Sequence, residues 1–388
     1  MKNDVVIVGG GVMGAATACF LARDHGVAVT VLERDPGYSR ASSSLSASSI
    51  RQQFSQPLNI ALSQWSIRFL RRVADELAVG DDRPAIGLTE PGYLYLATEA
   101  GAGVLRENHA VQQAAGADVR LLDPAALGER FPWLATGDLA LGAWGASGEG
   151  WFDGPALHQA FRRKAIACGV RFEAAEAVGF EHAACAVTAV RCSDGRSFAA
   201  GSLLLAAGAW SAPLAARLGF ALPVSPRKRD VFVLDCPQAL PGCPLVIDPS
   251  GVWFRAEGRG FLAGAPPRDG DPEEPPLHAI DHGQFEDQIW PVLAARVPAF
   301  EALRVRSAWA GYYEMNAFDH NGLAGPLPGW RNVFTACGFS GHGMQQAPAV
   351  GHAMAALICG AEATTPALAP MHPARLLTGE RWSERNII

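Results

Sequence analysis

The stretch VVIVGGGVMGAATACFLARDHGVAVTVLE, residues 5–33, constrains the fold more than any other part of the chain. Val5–Val8 is a β-branched run, short enough to be a buried parallel strand. Gly9, Gly11 and Gly14 follow with G-x-G-x-x-G spacing. A helix-like segment covers residues 15–23, and residues 27–32 read as a second strand with Glu33 at its end. In such a unit the first glycine makes a tight turn and the second lets backbone approach a pyrophosphate. The third lets helix and strand pack closely. The helix N-terminus offers unpaired N–H groups and the positive end of a dipole to the phosphates. Glu33 stands where an acid accepts hydrogen bonds from a ribose, which argues against a 2′-phosphate and so against NADP. Strand, glycines, helix, strand and acid in this order within about 30 residues predict a dinucleotide site.

A chain of 388 residues is long enough for two domains and a large core, and 49% hydrophobic with 18% charged residues suits a globular enzyme. A net charge of −6 gives no sign of a polyanion partner, so nucleic acid is not expected. Cys19, Cys168, Cys185, Cys192, Cys236, Cys243, Cys337 and Cys359 are scattered without a C-x-x-C pair. That fits reduced thiols, with no metal site and no disulfide framework. The first strand begins almost at Met1, which leaves no room for a secretory leader ahead of it. No stretch approaches the roughly 18 apolar residues of a spanning helix. The expected location is cytoplasmic, with no transmembrane segment.

The serine-rich stretch RDPGYSRASSSLSASSIRQQFSQP follows Glu33. A linker is the simple reading, but Arg51 and Phe54 are not linker residues, and long ordered loops are usually functional. Pro57 opens a helix to about residue 77. Residues 92–98 alternate as a strand, 105–115 read as helix, and Asp123 and Asp153 cap two more helices. Residues 172–178 and 186–191 look like strands, and 202–211 form a second buried apolar strand ending in Gly208. Residues 227–234, 245–247, 252–255 and 260–264 suggest an antiparallel sheet, and 269–276 are a polar, proline-rich loop. Near the end come a strand at 332–336, the turn GFSGHGMQQ and a helix at 347–358. The predicted class is α/β. A Rossmann-like nucleotide domain (1–80, 143–222, 318–388) is interleaved with an α+β substrate domain (81–142, 223–317) containing the antiparallel sheet.

The motifs VVIVGGGVMGAA…VLERD, SSSLSASSIRQQFS and TACGFSGHGMQQAPAVGHAMAALI resemble those of the glycine oxidase, sarcosine oxidase and D-amino-acid dehydrogenase group of FAD flavoproteins. LLDPAAL, LLLAAGAWS and SPRKRDVFVL extend the resemblance over nearly the whole chain. Around SIRQQFS the chain resembles the beta subunits of heteromeric sarcosine oxidases and proline dehydrogenases, and in its middle D-arginine dehydrogenase. The resemblance implies FAD as the dinucleotide. It implies that Gly9, Gly11 and Gly14 meet the pyrophosphate and Glu33 the adenosine ribose, with Val12, Met13 and Arg34 beside them among the cofactor-binding residues. Ser42, Ser43 and Ser46 match the polar loop at the phosphates and flavin, and Val178 the adenine contact. Ala207, Gly208 and Trp210 match the strand end near the cofactor. Gly341, His342, Gly343, Met344 and Gln345 match the turn against the flavin pyrimidine, where a helix N-terminus would favour negative charge on the reduced ring. For His342, a structural role in the turn is an equal alternative.

The same resemblance bears on the substrate. Arg51 matches an arginine that grips a substrate carboxylate, a role its planar fork suits; a solvated charge and a structural ion pair are the alternatives. Arg229, or Lys228 one residue away, falls at another carboxylate-binding arginine. Tyr312 and Tyr313 are candidate pocket walls, Tyr313 falling where D-arginine dehydrogenase has a second carboxylate arginine; Trp253 reads as core. Gly311 stands where monomeric sarcosine oxidases attach FAD through cysteine, and no histidine lies between Glu33 and Trp65, so noncovalent FAD is expected. Leu262 falls at the lysine that activates oxygen in those oxidases, which favours a dehydrogenase. The implied activity is oxidation of the C–N bond of an amino acid or N-alkyl amino acid, with oxygen, a quinone or a protein as electron acceptor. A 2-hydroxy-acid dehydrogenase and a non-catalytic flavoprotein that supports respiratory-complex assembly are the rival readings. A homo- or hetero-oligomer fits any of them.

Overall fold

The computed structural model describes residues 4–268 and 270–386. Asp269, at the start of the expected proline-rich loop, lies outside the described residues. Val5–Val8 is buried along its whole length and pairs in parallel with Val29–Glu33 on one side and Ser202–Leu205 on the other. Hydrophobic runs without alternation are what a strand covered on both faces requires. Arg171–Ala174 and Val333–Cys337 extend this sheet in parallel, and Leu323–Pro326 closes it as an antiparallel edge. The first helix is Val12–His25, three residues longer at its start than the sequence suggests. It packs against the helices Gly154–Ala167 and Gly343–Cys359. Small residues make that possible: a side chain at Gly351 would meet Ala16 Cβ at 2.8 Å.

Two expected elements are divided. The helix from Pro57 stops at Leu70, and a separate turn, Val73–Glu76, follows. Residues 172–178 are not one strand. Arg171–Ala174 belongs to the parallel sheet, whereas Ala177–Ala183 starts a three-stranded meander with Ala186–Cys192 and Ser197–Ala199. The break at Ala175 and Glu176 lies on the wall of the large cavity described below. The buried run from Ser202 is strand only to Leu205, and Gly208 already begins a 3₁₀ turn.

A second sheet has eight strands, in the order Arg304–Asn316, Val224–Asp235, Gly260–Gly264, Trp253–Glu257, Leu245–Ile247, Tyr93–Ala97, Leu141–Gly145, Val119–Leu122. All neighbours are antiparallel except Leu245–Ile247 with Tyr93–Ala97. The expected domain border at 142/143 therefore falls within a strand of this sheet. Its longest member, Arg304–Asn316, has no clear signal in the sequence, because its outer half is exposed and only its inner half is buried. This strand and its partner Val224–Asp235 reach back to the parallel sheet, so the fold is an α/β Rossmann-like unit interleaved with an antiparallel one. Among the described residues no helix is long and apolar enough to cross a membrane.

Candidate functional site

The carboxyl ends of the parallel strands open into a cavity of about 740 Å³. Cofactor and ligand sites usually have volumes of about 300–1,000 Å³, and open parallel sheets bind ligands at this edge. Its wall holds Gly9, Gly11, Val12, Met13, Glu33, Arg34, Ser42, Ser43, Ser46, Val178, Ala207, Gly208 and Trp210. It also holds Gly311, Gly341, Gly343 and Met344, with Arg229, Tyr312 and Tyr313. Residues expected from six separate stretches of chain (9–46, 178, 207–210, 229, 311–313 and 341–344) thus share one space. Gly14, Arg51, His342 and Gln345 are not on its wall.

The glycine turn has the shape a pyrophosphate needs. Gly9 has φ +102°, and a side chain there would lie 2.3 Å from Ala206 O. Gly14 is off the wall because it serves helix–strand packing, and a Cβ there would strike Gly9 O at 2.0 Å. Gly11 caps the first helix without a side-chain acceptor. The Val12 N–H instead donates to Ser43 Oγ at 2.9 Å, so the serine loop is closed over the helix N-terminus. Glu33 accepts from Gly10 N–H at 2.8 Å and Asp35 N–H at 2.9 Å, which fixes its carboxylate at the cavity edge. His158, buried and held neutral by burial, meets Gly10 O at 2.8 Å. Ser42 Oγ donates to Tyr312 O at 2.6 Å and ties the serine loop to the second sheet.

At the other group of wall residues the helix Gly343–Cys359 starts with no side-chain cap. Gly341 precedes it with φ +90°, and a Cβ there would sit 2.5 Å from Tyr313 Cε2, so only glycine lets the turn lie on that ring. Burial raises the Tyr313 phenol, and the Arg229 guanidinium lies 5.1 Å from its ring centroid. Arg229 itself grips Asp271 with both Nη atoms, at 2.8 and 2.9 Å. Lys228, the neighbouring candidate, points elsewhere: it bonds Ala279 O and Asp230 and is not on the wall. Trp253, read as core, is part of the wall, whereas Leu262 is buried in the sheet away from it.

Arg51 departs from expectation. It is 2% exposed and lies under Phe54, its guanidinium 4.6 Å from that ring. Its Nη2 donates to Asn386 O and meets His342 Nε2 at 2.9 Å, and its backbone N–H donates to Gln345 Oε1 at 2.9 Å. Burial, and then the nearby Arg51 charge, hold His342 well below the usual imidazole range, so His342 is a neutral acceptor. The closing segment of the chain thus covers Arg51, and His342 and Gln345 face Arg51 rather than the cavity. Several wall residues had no reading in the sequence, and three of them make polar or ring contacts that shape the wall. Tyr38 stands with φ +54° beside His158, and Arg40 joins Glu274 at 2.8 Å. Glu314, a lone acid in the run GYYEMN, accepts from Gly338 N–H at 3.1 Å. Among the described residues no cysteine, histidine or lysine lines the cavity, and none group to hold a metal ion.

A Rossmann-like sheet opening on a glycine-bounded, two-ended cavity defines a dinucleotide-dependent oxidoreductase. The chain belongs to the FAD dependent oxidoreductase (DAO) family, whose model matches residues 4–357. It is 43% identical over 427 residues to FAD-dependent oxidoreductase domain-containing protein 1 of Xenopus laevis, covering 100% of this chain and 85% of that one. It is 30% identical over 368 residues to glycine oxidase of Geobacillus kaustophilus, covering 92% and 93%. Its fold matches L-proline dehydrogenase from P. horikoshii with a TM-score of 0.84 at 26% identity, over 98% and 99% of the two chains. FAD is therefore the cofactor, and the glycine cradle, Glu33 and the uncapped helix starts suit it.

Proposed function

We propose that this flavoprotein oxidises the C–N bond of an amino acid or N-alkyl amino acid. The observation that carries this reading is Arg229: a guanidinium on the cavity wall, stacked on Tyr313, already holding a carboxylate through both Nη atoms. A substrate carboxylate in that fork would be oriented by two charge-assisted hydrogen bonds. Tyr313, Tyr312 and Trp253 would flank the rest of the molecule and keep water from the reacting carbon. When bound, FAD accepts hydride from the carbon bearing nitrogen, and the imine so formed hydrolyses in water. The protein's part is orientation, which alone can supply several kcal/mol of the barrier. Similarity to a glycine oxidase and a proline dehydrogenase supports an amine-bearing acid as substrate.

FAD is held without a covalent bond in this reading, because Gly311 occupies the relevant place and no cysteine or histidine faces the cavity among the described residues. The absence of lysine from the same wall, among the described residues, favours a dehydrogenase that passes electrons to a quinone or a protein. Anaerobic mixing with a panel of amino, N-alkyl amino and 2-hydroxy acids tests the proposal. Bleaching of the flavin band by an amino or N-alkyl amino acid is the expected result, and loss of that band with hydroxy acids alone would overturn it. No bleaching by any panel member would overturn it too.

A further inference from the structure

Arg229 is not free to meet a substrate as it stands. Its Nη1 and Nη2 face Asp271 Oδ1 and Oδ2, and Nη1 also reaches Lys228 O at 2.8 Å. The two partners are unequal: the Arg229 side chain is 15% accessible and that of Asp271 33%. Arg229 lies on the cavity wall and Asp271 does not, so the carboxylate reaches the arginine from outside.

The segment that carries Asp271 is held by polar contacts to the cavity rim. Glu273 pairs with Arg227 at 3.0 Å, and the Glu274 N–H donates to Pro226 O at 2.9 Å. Glu274 also takes Arg40 at 2.8 Å and the Trp210 indole N–H at 2.9 Å, while Tyr312 Oη donates to Pro275 O at 2.6 Å. Arg40, Trp210 and Tyr312 are themselves wall residues, so residues 271–276 form a strap at the cavity mouth, from the strand Val224–Asp235 to the serine loop and the turn Gly208–Trp210. Among the described residues, no residue of the strap enters a hydrophobic core, and its ladder contact is the isolated bridge Arg227–Glu273. Exposed ion pairs of this kind hold weakly.

We infer that Asp271 is a specificity-determining residue: a resident carboxylate that occupies the Arg229 fork and yields it only to a ligand carrying a carboxylate of its own. This rests on the role proposed for Arg229 above. A ligand without a carboxylate leaves the Arg229–Asp271 pair in place and the strap closed. A carboxylate ligand exchanges with Asp271 and frees the strap.

The test uses the FAD-loaded protein and benzoate, an inert carboxylate, with benzamide as its neutral counterpart. Binding is followed by the flavin spectrum and strap opening by amide hydrogen exchange at Glu274, whose N–H donates to Pro226 O. In the unaltered protein benzoate should speed exchange there and benzamide should not. Asp271→Asn should tighten benzoate roughly fivefold, the scale of one exposed ion pair removed from competition, and leave benzamide unchanged. Glu273→Gln frees the strap without touching Arg229, so it should speed exchange while tightening benzoate less than Asp271→Asn does. Benzoate affinity equal or weaker in Asp271→Asn, or equal tightening in Glu273→Gln, overturns the inference. So does unchanged exchange with benzoate, which decides the matter even if Asp271→Asn does not fold. Because benzoate is not oxidised, these outcomes are independent of whether any amino acid reduces the flavin.

Discussion

Glu314 gives the sharpest pH prediction. The strand Arg304–Asn316 carries it into the wall beneath the closing turn, where its carboxyl accepts the N–H groups of Gly338 and Phe339. Among the described residues no arginine or lysine pairs with it, and burial raises it from 4.5 to about 7, the two N–H donors only moderating the rise. The folded protein therefore keeps this proton to about pH 7, whereas the unfolded chain gives it up near 4.5. Between those values the folded state binds more protons, so stability falls as pH rises and levels off above about 7. At about 1.4 kcal/mol per decade of proton affinity, the whole effect amounts to about 3 kcal/mol. Glu314→Gln keeps an oxygen acceptor and removes the titration. Urea unfolding of the FAD-loaded protein from pH 5 to 8 should show the variant gaining on the unaltered protein by about 2–3 kcal/mol across that range. A difference that stays flat with pH would refute the burial argument. Glu149, fully buried, raised to about 7 by the same cause and held by Gln52 and Gln53, should behave alike in Glu149→Gln.

The other predictions concern the cofactor cradle and the thiols. Glu33→Ala should weaken FAD binding by roughly 10- to 100-fold, since it removes a charged acceptor and leaves the Gly10 and Asp35 N–H groups unpaired; titration of apoprotein with FAD measures it. Gly341→Ala puts a Cβ into Tyr313 at φ +90° and should cost about 1–3 kcal/mol and shift the flavin spectrum, both readable in one thermal melt of the coloured protein. In native protein, Ellman's reagent should modify exposed Cys359 first. Cys19, Cys243 and Cys337, buried and raised to about 12, should react only after unfolding.

What could be read from the chain was whatever local sterics demand. Gly9 and Gly14 are glycine because Ala206 O and Gly9 O leave no room for a Cβ, and that demand is written as spacing within one strand–turn–helix. Asp123 and Asp153 cap their helices through the N–H three residues on, a signal equally local. The end of the cavity proposed for the substrate is set differently. Val224–Asp235 pairs with Arg304–Asn316 in a register that puts Arg229 opposite Gly311 and Arg227 opposite Tyr313. Nothing near residue 229 encodes a partner some 80 residues away, and nothing in GYYEMN says that its acid turns toward residue 338. Arg40, Tyr38 and Asp271 escaped notice for the same reason: each joins the candidate site only through a contact with another segment.

Arg51 lies buried and off the cavity wall, where the sequence places a carboxylate-binding arginine. A buried guanidinium with no carboxylate within 4 Å among the described residues is expensive, and here Nη1 has no partner. Its charge is offset at longer range by the carboxyl groups of Glu384 and Glu149. What it does directly is fasten His342 and Gln345, and so the turn whose Gly341 lies on Tyr313, whose ring in turn bears Arg229. The closing turn and the wall arginine are thus two faces of one packed stack. The two arginines should separate by readout. Arg51→Met should disturb FAD affinity and the flavin spectrum while the preference for benzoate over benzamide survives. Arg229→Met should leave FAD in place and abolish that preference. If Arg51→Met erases the preference with FAD binding intact, the carboxylate is held at Arg51, and the wall arginine serves only the strap.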